Sequence, residues 1–467
     1  MSQTLRRRLL FAGLGLVLTA GVAFGAYTVL GRRDVTTSSS EALRCYRLGR
    51  ENELKLYYNE ARAAYGEALK YDPNFVMATL RLASLTREQD PERARALFDG
   101  IRPFLGSVTE RERFHVRLFE MGLERKGAKE LEQLLDEWIG RFPGDPDPYM
   151  MRANLLVKTD RLPRAIADLE KLVALNPNFA SAYNTLGYYA LGQGDTARAE
   201  EYLRRYRFLA PDQANPYDSL GEFYLSVGRY AESEENLKKA LEVKPDFYPS
   251  LAHLGSLEVA RGNLLAAADR FREAAERVDA PGDRREWYLS AALALAVAGR
   301  PSEATALMDR IEPMKWENDE KERMRRERME RLHRGLFSAI SGRSREAAAE
   351  LDALGKLIEG LPAEAKESWE REMSLCRGFV ASHEGRHEEA AQAFRKAIPK
   401  GPPAGGFGYF PVRDMLHVAL ARSLSELGRP DEAEDALKPV LSRNPKFQPA
   451  LEVQERIRGR AAGAARS

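Results

Sequence analysis

The sequence predicts an all-α protein, an α-solenoid of about eleven stacked helix pairs that follows one N-terminal transmembrane helix. Three observations support this fold class. Glycine, leucine and proline positions recur every 34 residues in the middle of the chain, a Gly-Arg motif recurs every 43 residues further on, and one long uncharged segment lies near the N-terminus. A fixed period of about 20–50 residues is typical of stacked repeats, because each unit covers the apolar face of the next.

The N-terminus predicts a membrane anchor. Three arginines, residues 6–8, precede the 22 uncharged residues 9–30, and two more arginines follow. A cleaved signal peptide has an apolar core of about 7–15 residues and a spanning helix needs about 20, so the length favours a signal-anchor helix that is retained. The leading arginines favour a cytoplasmic N-terminus and a repeat domain on the other side of the membrane. The alternative is cleavage near residue 26, which would release a secreted soluble adaptor.

Several residue types recur every 34 residues and keep the same positions relative to one another. Two sets of glycines, one of leucines and one of prolines recur at this interval: Gly187, Gly221 and Gly255; Gly194, Gly228 and Gly262; Leu186, Leu220 and Leu254; Pro177, Pro211 and Pro245. Glycine makes up only 35 of the 467 residues, so the recurrence of all four residue sets at the same interval indicates a repeat.

Each unit is predicted to form an antiparallel helix pair. Tyr183, Leu186 and Ala190 have the spacing of one helical face, and Gly194 ends that first helix. A second apolar stripe runs to Pro211, which ends the second helix because proline has no amide hydrogen and clashes with the preceding turn. Such a pair cannot bury both of its faces alone, so it stacks on the next pair.

These residues resemble the tetratricopeptide repeat family, whose 34-residue unit is a helix–turn–helix. The family pattern is filled in one unit by Tyr217, Leu220, Gly221, Tyr224, Leu237, Ala240 and Pro245, with Ser233 as a departure, and in an earlier unit by Leu48, Gly49, Ala61, Tyr65, Ala68 and Pro73. The resemblance covers nearly everything after residue 41 and is weakest in 109–143. It implies a right-handed superhelix whose concave groove binds peptides or protein segments.

Beyond residue 281 the interval becomes 43 residues. Four Gly-Arg pairs open the motifs GRPSEA, GRSREA, GRHEEA and GRPDEA, and they lie at 299–300, 342–343, 385–386 and 428–429. The nine additional residues per unit are expected to lengthen helices or the links between them. One extension, 315–334, is rich in opposite charges that can pair at i,i+4. The other, 401–411, is rich in glycine and proline and is predicted to be a loop.

Residues 383–387, HEGRH, match the zinc-binding pattern H-E-x-x-H of metalloproteases. That pattern requires both histidines on one helix, so that both rings face one metal ion. Here Gly385 and Arg386 occupy the turn between two helices of a repeat, and proline replaces His387 in two of the other copies. Because proline suits the first position of a new helix, a turn is predicted, and a zinc-dependent hydrolase is the disfavoured alternative.

Composition argues against several other function classes. The 72 basic and 70 acidic residues give a net charge of +2, without the concentrated basic face of a nucleic-acid-binding protein. Cys45 and Cys376 suggest neither a disulfide scaffold nor a cysteine zinc site. The sequence contains no phosphate-binding loop and no nucleophile elbow. His115, His253 and His333 are interpreted as isolated surface or groove residues.

The resemblance implies that one helix of each pair lines the groove. By repeat position, the groove candidates are Asn154, Asn184, Tyr188, Asp218 and Glu222. The expected function is a membrane-tethered, non-catalytic scaffold or adaptor for protein–protein interaction, serving as an assembly or signalling accessory factor. We expect no catalytic residue, cofactor, metal, nucleic acid or small-molecule substrate. The anchored layout also looks like the repeat portions of bacterial membrane signalling proteins, so the inner membrane is expected, with the repeats outside the cytoplasm.

The predicted organisation runs from a short cytoplasmic N-terminus through anchor, linker, divergent repeats, regular repeats and longer repeats to a capping helix with a basic tail. In that order, the bounds are 1–8, 9–30, 31–40, 41–143, 144–281, 282–445 and 446–467.

Overall fold

The computed structural model describes residues 35–87, 90–124, 126–159, 161–278, 281–308, 310, 320–398 and 411–464. Across these ranges the chain forms 23 α-helices, one short 3-10 helix and no β-strand, which confirms the all-α prediction. The predicted transmembrane helix, 9–30, lies outside the described residues. None of the described helices has both the length and the apolar character needed to cross a membrane.

The first compact unit ends at Phe142 and contains three helix pairs. These are α1 (Ser40–Leu54) with α2 (Tyr58–Tyr71), α3 (Val76–Thr86) with α4 (Pro91–Ile101), and α5 (Glu110–Leu123) with α6 (Ala128–Arg141); a 3-10 helix, Arg102–Phe104, follows α4. The sequence pattern of a first helix is weak in α5, yet this helix begins with a capping box. The hydroxyl of Thr109 accepts from the Glu112 amide, and the Glu112 carboxylate accepts from the Thr109 amide.

Residues 35–39, in the segment predicted as a linker, pack against the first unit. The backbone N–H and the hydroxyl of Thr36 donate to the carboxylate of Glu112 at 2.7 and 2.6 Å. The hydroxyl of Thr37 donates to Asp72, and Val35 is only 7% exposed. The start of the described chain is therefore attached to α5 and to the end of α2.

The main part of the second compact unit begins at Pro143 and contains eight helix pairs and one final helix. The pairs are α7 (Pro146–Lys158) with α8 (Leu162–Leu175), α9 (Ala180–Gly192) with α10 (Thr196–Leu209), α11 (Ala214–Ser226) with α12 (Tyr230–Val243), α13 (Tyr248–Ala260) with α14 (Leu264–Arg277), α15 (Pro281–Val297) with α16 (Pro301–Met308), α17 (Glu320–Ile340) with α18 (Ser344–Ile358), α19 (Ala363–His383) with α20 (His387–Ala397), and α21 (Val412–Glu426) with α22 (Pro430–Leu441). The final helix is α23 (Gln448–Ala464). Both units together contain the eleven pairs that the sequence predicts.

The two helices of a pair approach closely where the first helix carries glycine. A Cβ atom on Gly187 of α9 would lie 2.7 Å from Cγ of Leu203 on α10, and one on Gly221 of α11 would lie 2.6 Å from Cγ of Leu237 on α12. Real Cβ atoms do not approach so closely. Glycine at these positions therefore allows the two helices of a pair to pack closely.

A glycine with positive φ forms the turn inside seven of the pairs. These glycines have φ between +70° and +83°: Gly194, Gly228, Gly262, Gly299, Gly342, Gly385 and Gly428. Glycine is favoured there because a Cβ atom makes this left-handed conformation costly.

The turn at Gly385 settles the geometry of the HEGRH segment. Helix α19 ends at His383 and α20 begins at His387, with Gly385 at φ +73° between them, so the predicted turn is confirmed. His383 Nε2 lies 3.0 Å from the carbonyl oxygen of Ile340, to which it donates. Among the residues described, no three His, Cys, Asp or Glu side chains are grouped so that they could hold a metal ion.

The 43-residue repeats use part of their additional length in the first helix of the pair. Helices α17 and α19 each have 21 residues, whereas α9, α11 and α13 each have 13. Two i,i+4 ion pairs form on α17, between Arg326 and Glu330 at 2.7 Å and between Glu327 and Arg331 at 3.7 Å. The pairing predicted for this charged extension is thus confirmed. Of the predicted loop 401–411, all but Pro411 lies outside the described residues.

Candidate functional site

The five groove candidates all lie on first helices of consecutive pairs. Asn154 is on α7, Asn184 and Tyr188 are on α9, and Asp218 and Glu222 are on α11. The 34-residue period relates Asn154 to Tyr188 and Glu222, and Asn184 to Asp218. The structure brings three of them together, Tyr188, Asp218 and Glu222, in one cluster of polar side chains.

Hydrogen bonds between α9, α11 and α13 hold this cluster. The hydroxyl of Tyr188 donates to Glu222 Oε2, and the hydroxyl of Ser250 donates to Asp218 Oδ1 at 2.7 Å. The imidazole of His253 lies between the two carboxylates, with Nδ1 2.9 Å from Asp218 Oδ1 and Nε2 3.6 Å from Glu222 Oε2. One side chain of α13 thereby connects two carboxylates of α11, and Tyr188 extends the cluster to α9.

The electrostatics of the cluster favour a protonated histidine. Burial by itself would lower the pKa of His253, but the carboxylates of Asp218 and Glu222 outweigh it and raise that pKa to about 9. Burial and the neighbouring carboxylate of Glu222 raise the pKa of Tyr188 well above its usual value. At neutral pH the imidazole of His253 is therefore protonated and the phenol of Tyr188 is neutral.

The interpretation of His115, His253 and His333 as isolated surface or groove residues is wrong. They are only 8%, 6% and 9% exposed, respectively. The rings of His115 and Trp138 are 4.4 Å apart, and that of His333 stacks near Phe337. A sequence signal for His253 existed, because it follows Asp218 by 35 residues and so lies one position past the equivalent of Asp218 in the next repeat.

Exposure of the candidates decreases along the chain. Asn154 is exposed, Asn184 and Tyr188 are half-buried, and Asp218 and Glu222 are each 3% exposed. In this conformation the side chains that remain accessible belong to α7 and α9. Asp218 and Glu222 instead connect neighbouring first helices, which fixes the spacing of the pairs.

The two asparagines differ in their hydrogen bonds. Asn154 Oδ1 accepts from the hydroxyl of Tyr189 at 3.3 Å. Asn184 Oδ1 is a buried atom that accepts no hydrogen bond from the described residues. A buried acceptor without a donor costs about 1–3 kcal/mol, so Asn184 Oδ1 is left with an unused capacity to accept a hydrogen bond.

Comparison with known families identifies the repeat. Residues 58–104, 150–214 and 253–319 match one family model described as tetratricopeptide repeat, and residues 214–247 match a second model with the same description. The chain therefore contains tetratricopeptide repeats, as the period and motif predicted. Repeats of this family are typically non-catalytic and bind other proteins or peptides.

Several solved structures resemble the chain at low identity. One is the crystal structure of the APC/C hetero-tetramer Cut9–Hcn1, at 17% identity, with 94% of this chain and 81% of that chain covered and a TM-score of 0.48. A tetratricopeptide repeat protein from Parabacteroides merdae is 16% identical, with 60% and 98% covered and a TM-score of 0.42. MamA from Desulfovibrio magneticus is 24% identical, with 36% and 94% covered and a TM-score of 0.30. No curated protein sequence matches this chain.

Proposed function

We propose that the tetratricopeptide repeats of this chain form a membrane-tethered, non-catalytic scaffold that binds another protein or a peptide segment on the first-helix faces of α7 and α9. Asn184 carries this proposal. Its Oδ1 is a buried acceptor without a described donor, at a repeat position expected to face the groove. If the half-buried Asn184 side chain turns outwards, an N–H group of a partner backbone or side chain would satisfy it. The exposed side chain of Asn154 lies at a groove position on the preceding pair.

The partner class follows from the chemistry of these side chains. Asparagine donates and accepts hydrogen bonds, which suits the alternating N–H and C=O groups of a peptide backbone. Tyr188 adds an aromatic ring beside them on α9. The near balance of 72 basic and 70 acidic residues favours a protein partner over nucleic acid, and no small-molecule substrate is proposed.

The tether is proposed from residues 9–30 and supported by the way the chain enters the first unit. Val35 is buried and Thr36 is hydrogen-bonded to Glu112, so the chain is attached only five residues after Leu30. Five extended residues span at most about 18 Å. If residues 9–30 cross the membrane, the first unit is held at the membrane surface. We propose the bacterial inner membrane, with the repeats outside the cytoplasm, because the three leading arginines favour a cytoplasmic N-terminus.

Site-specific crosslinking in intact membranes tests the binding face. A photoreactive amino acid replaces Asn184 in one variant and Arg198 in another; the Arg198 side chain is 66% exposed on the second helix α10. We expect a discrete crosslinked protein from position 184 and none from position 198. Equal labelling at both positions, or labelling only at 198, would contradict the proposed face.

A second experiment tests the tether separately. We expect the full chain to remain with membranes after alkaline extraction and a variant lacking residues 9–30 to become soluble. A mature N-terminus near residue 26 would instead support the secreted adaptor. Binding at Asn184 and membrane attachment are thus decided by different measurements.

A further inference from the structure

The turn between α22 and α23 contacts the turn between α11 and α12, more than 200 residues earlier in the chain. The side-chain amide of Asn444 donates to the carbonyl oxygen of Leu225 at 3.2 Å, and its Oδ1 accepts from the hydroxyl of Tyr230 at 3.0 Å. Asn444 is only 6% exposed. One asparagine therefore connects the end of α11 and the start of α12 to the last helix pair.

The packing around this contact is close. A Cβ atom on Gly228 would lie 2.9 Å from Asn444 Oδ1 and 3.3 Å from Cδ of Pro445. One on Gly262, in the next turn, would lie 3.4 Å from Cγ of Gln448. Four equivalent turn glycines have no such neighbour among the described atoms within 4 Å: Gly194, Gly299, Gly385 and Gly428. Two consecutive turns of the second unit thus accept the segment 444–448.

Asn176 shows which part of the Asn444 geometry is common to the repeats. Both asparagines precede a proline at the end of a second helix. In both, the side-chain oxygen accepts from the backbone N–H two residues later at 3.3 Å, from Asn178 in one case and from Lys446 in the other. Asn176, however, is exposed. The bonds to Leu225 and Tyr230 are therefore additional to a local turn that any repeat can form.

We propose that Asn444, Pro445 and Gln448 form a clasp that closes the helix pairs from α11 to α22 into a loop and that can open while the pairs stay folded. In an open repeat array each unit contacts only its neighbours, so the last units open first. Here the last pair has a second attachment. Because that attachment depends on two side-chain hydrogen bonds and on contacts at two turns, it separates more easily than the apolar contacts between pairs.

The clasp has a consequence for the polar cluster. Leu225 and Tyr230 flank the turn that follows Asp218 and Glu222 on α11, and Gly262 follows His253 on α13. A closed clasp holds the two pairs that supply these charged side chains at one spacing. Opening it removes one restraint on that spacing and leaves the hydrogen bonds of Asp218 to Ser250 and His253 as the other, independently of whether a partner binds α7 and α9.

Hydrogen–deuterium exchange of the full chain tests the clasp. We expect Asn444→Ala to increase exchange of amides in 225–232, more than 200 residues away, by about tenfold, which is the usual effect of losing a buried hydrogen bond. The matched control, Asn176→Ala, removes only the local turn and should leave 225–232 unchanged. Increased exchange confined to 440–450 in Asn444→Ala would overturn the proposal.

Three further substitutions, one of them a control, keep the test decisive if Asn444→Ala unfolds the last pair. Tyr230→Phe removes one hydroxyl and should increase exchange around Asn444. Gly228→Ala and Gly194→Ala impose the same left-handed strain, at φ +75° and +80°, but only the former meets Asn444. We expect Gly228→Ala to release residues 444–448 and Gly194→Ala not to; equal exchange of 444–448 in both variants would refute the clasp.

Discussion

Arg152 on α7 makes two hydrogen bonds to Asp168 on α8, from Nε at 2.8 Å and from a terminal nitrogen at 2.6 Å. Their side chains are only 12% and 9% exposed. Arg152 occupies the repeat position that Leu186, Leu220 and Leu254 fill in the following pairs. A buried ion pair to the second helix therefore occupies a position where the first helices of the following pairs have leucine.

Removing one partner should be more harmful than removing both. Asp168→Ala leaves a mostly buried guanidinium without its carboxylate, which costs about 3 kcal/mol. The double variant Arg152→Leu with Asp168→Tyr reproduces the pair Leu186 and Tyr202 of the next repeat and should recover most of that loss. Denaturant unfolding of the three proteins measures the difference. A double variant as unstable as Asp168→Ala would show that the ion pair has a role that packing cannot replace.

Gly221→Ala should destabilise the pair α11–α12 by about 2 kcal/mol, because the added methyl group would lie 2.6 Å from Cγ of Leu237. The matched control is Gly355→Ala in the last turn of α18, where a Cβ atom meets no described atom within 4 Å. That change should stabilise the chain by up to about 1 kcal/mol, since alanine is the better helix former. Thermal unfolding measures the change in stability of each variant. Destabilisation of similar size in both would argue against the close contact with Leu237 as its cause.

Leu56→Gly should stabilise the pair α1–α2. Leu56 is the only described residue other than glycine with positive φ, at +62°, and it occupies the turn position where seven other pairs have glycine. Relief of this conformation is worth about 1–2 kcal/mol, and the greater freedom of glycine in the unfolded chain reduces the net gain to roughly 1 kcal/mol or less. Thermal unfolding measures the change. A loss of stability would mean that contacts of the Leu56 side chain outweigh its backbone strain.

The polar cluster should make stability depend on pH above neutrality. His253 has a pKa of about 9 when folded, against 6.5 when unfolded. Its contribution, up to about 3 kcal/mol, is therefore complete below pH 6.5 and is lost as the pH rises through 9. We expect the unfolding midpoint of the wild-type chain to fall between pH 6.5 and 9 more steeply than that of His253→Gln. Parallel profiles for the two proteins would exclude a charged His253.

His333 should have the opposite effect on the pH dependence of stability. Burial, with a smaller effect of Arg285, lowers its pKa to about 4. Because the unfolded state binds this proton more readily, stability should decrease as the pH falls from 6.5 towards 4. His333→Gln should therefore flatten the acid side of the profile and leave the alkaline side, which depends on His253, unchanged.

The repeated elements could be predicted from the sequence because they depend on local chemistry. Helical spacing of apolar residues, glycine at the turns and proline after the second helix act within one pair, so the eleven pairs and the turn at Gly385 were predicted from the residues of each unit. Helix α5 was harder, since its beginning depends on the capping box of Thr109 and Glu112 more than on apolar spacing. The degree of exposure of Asp218 and Glu222 could not be predicted from their repeat positions, because it depends on what surrounds α11.

By itself, the sequence determined the class of fold, the number of helix pairs and the family of the repeat, because each depends on contacts within a unit or with its neighbours. Only the tertiary structure decided that His253 joins Asp218 and Glu222, and that Asn444 contacts Leu225 and Tyr230 while Asn176 contacts neither. Those two asparagines have the same local sequence signal, Asn-Pro after a second helix. They differ because only Asn444 lies next to the turn between α11 and α12. The position of α22 relative to α11 depends on the angles between successive helix pairs along the ten intervening helices, and no single repeat determines the sum of those angles.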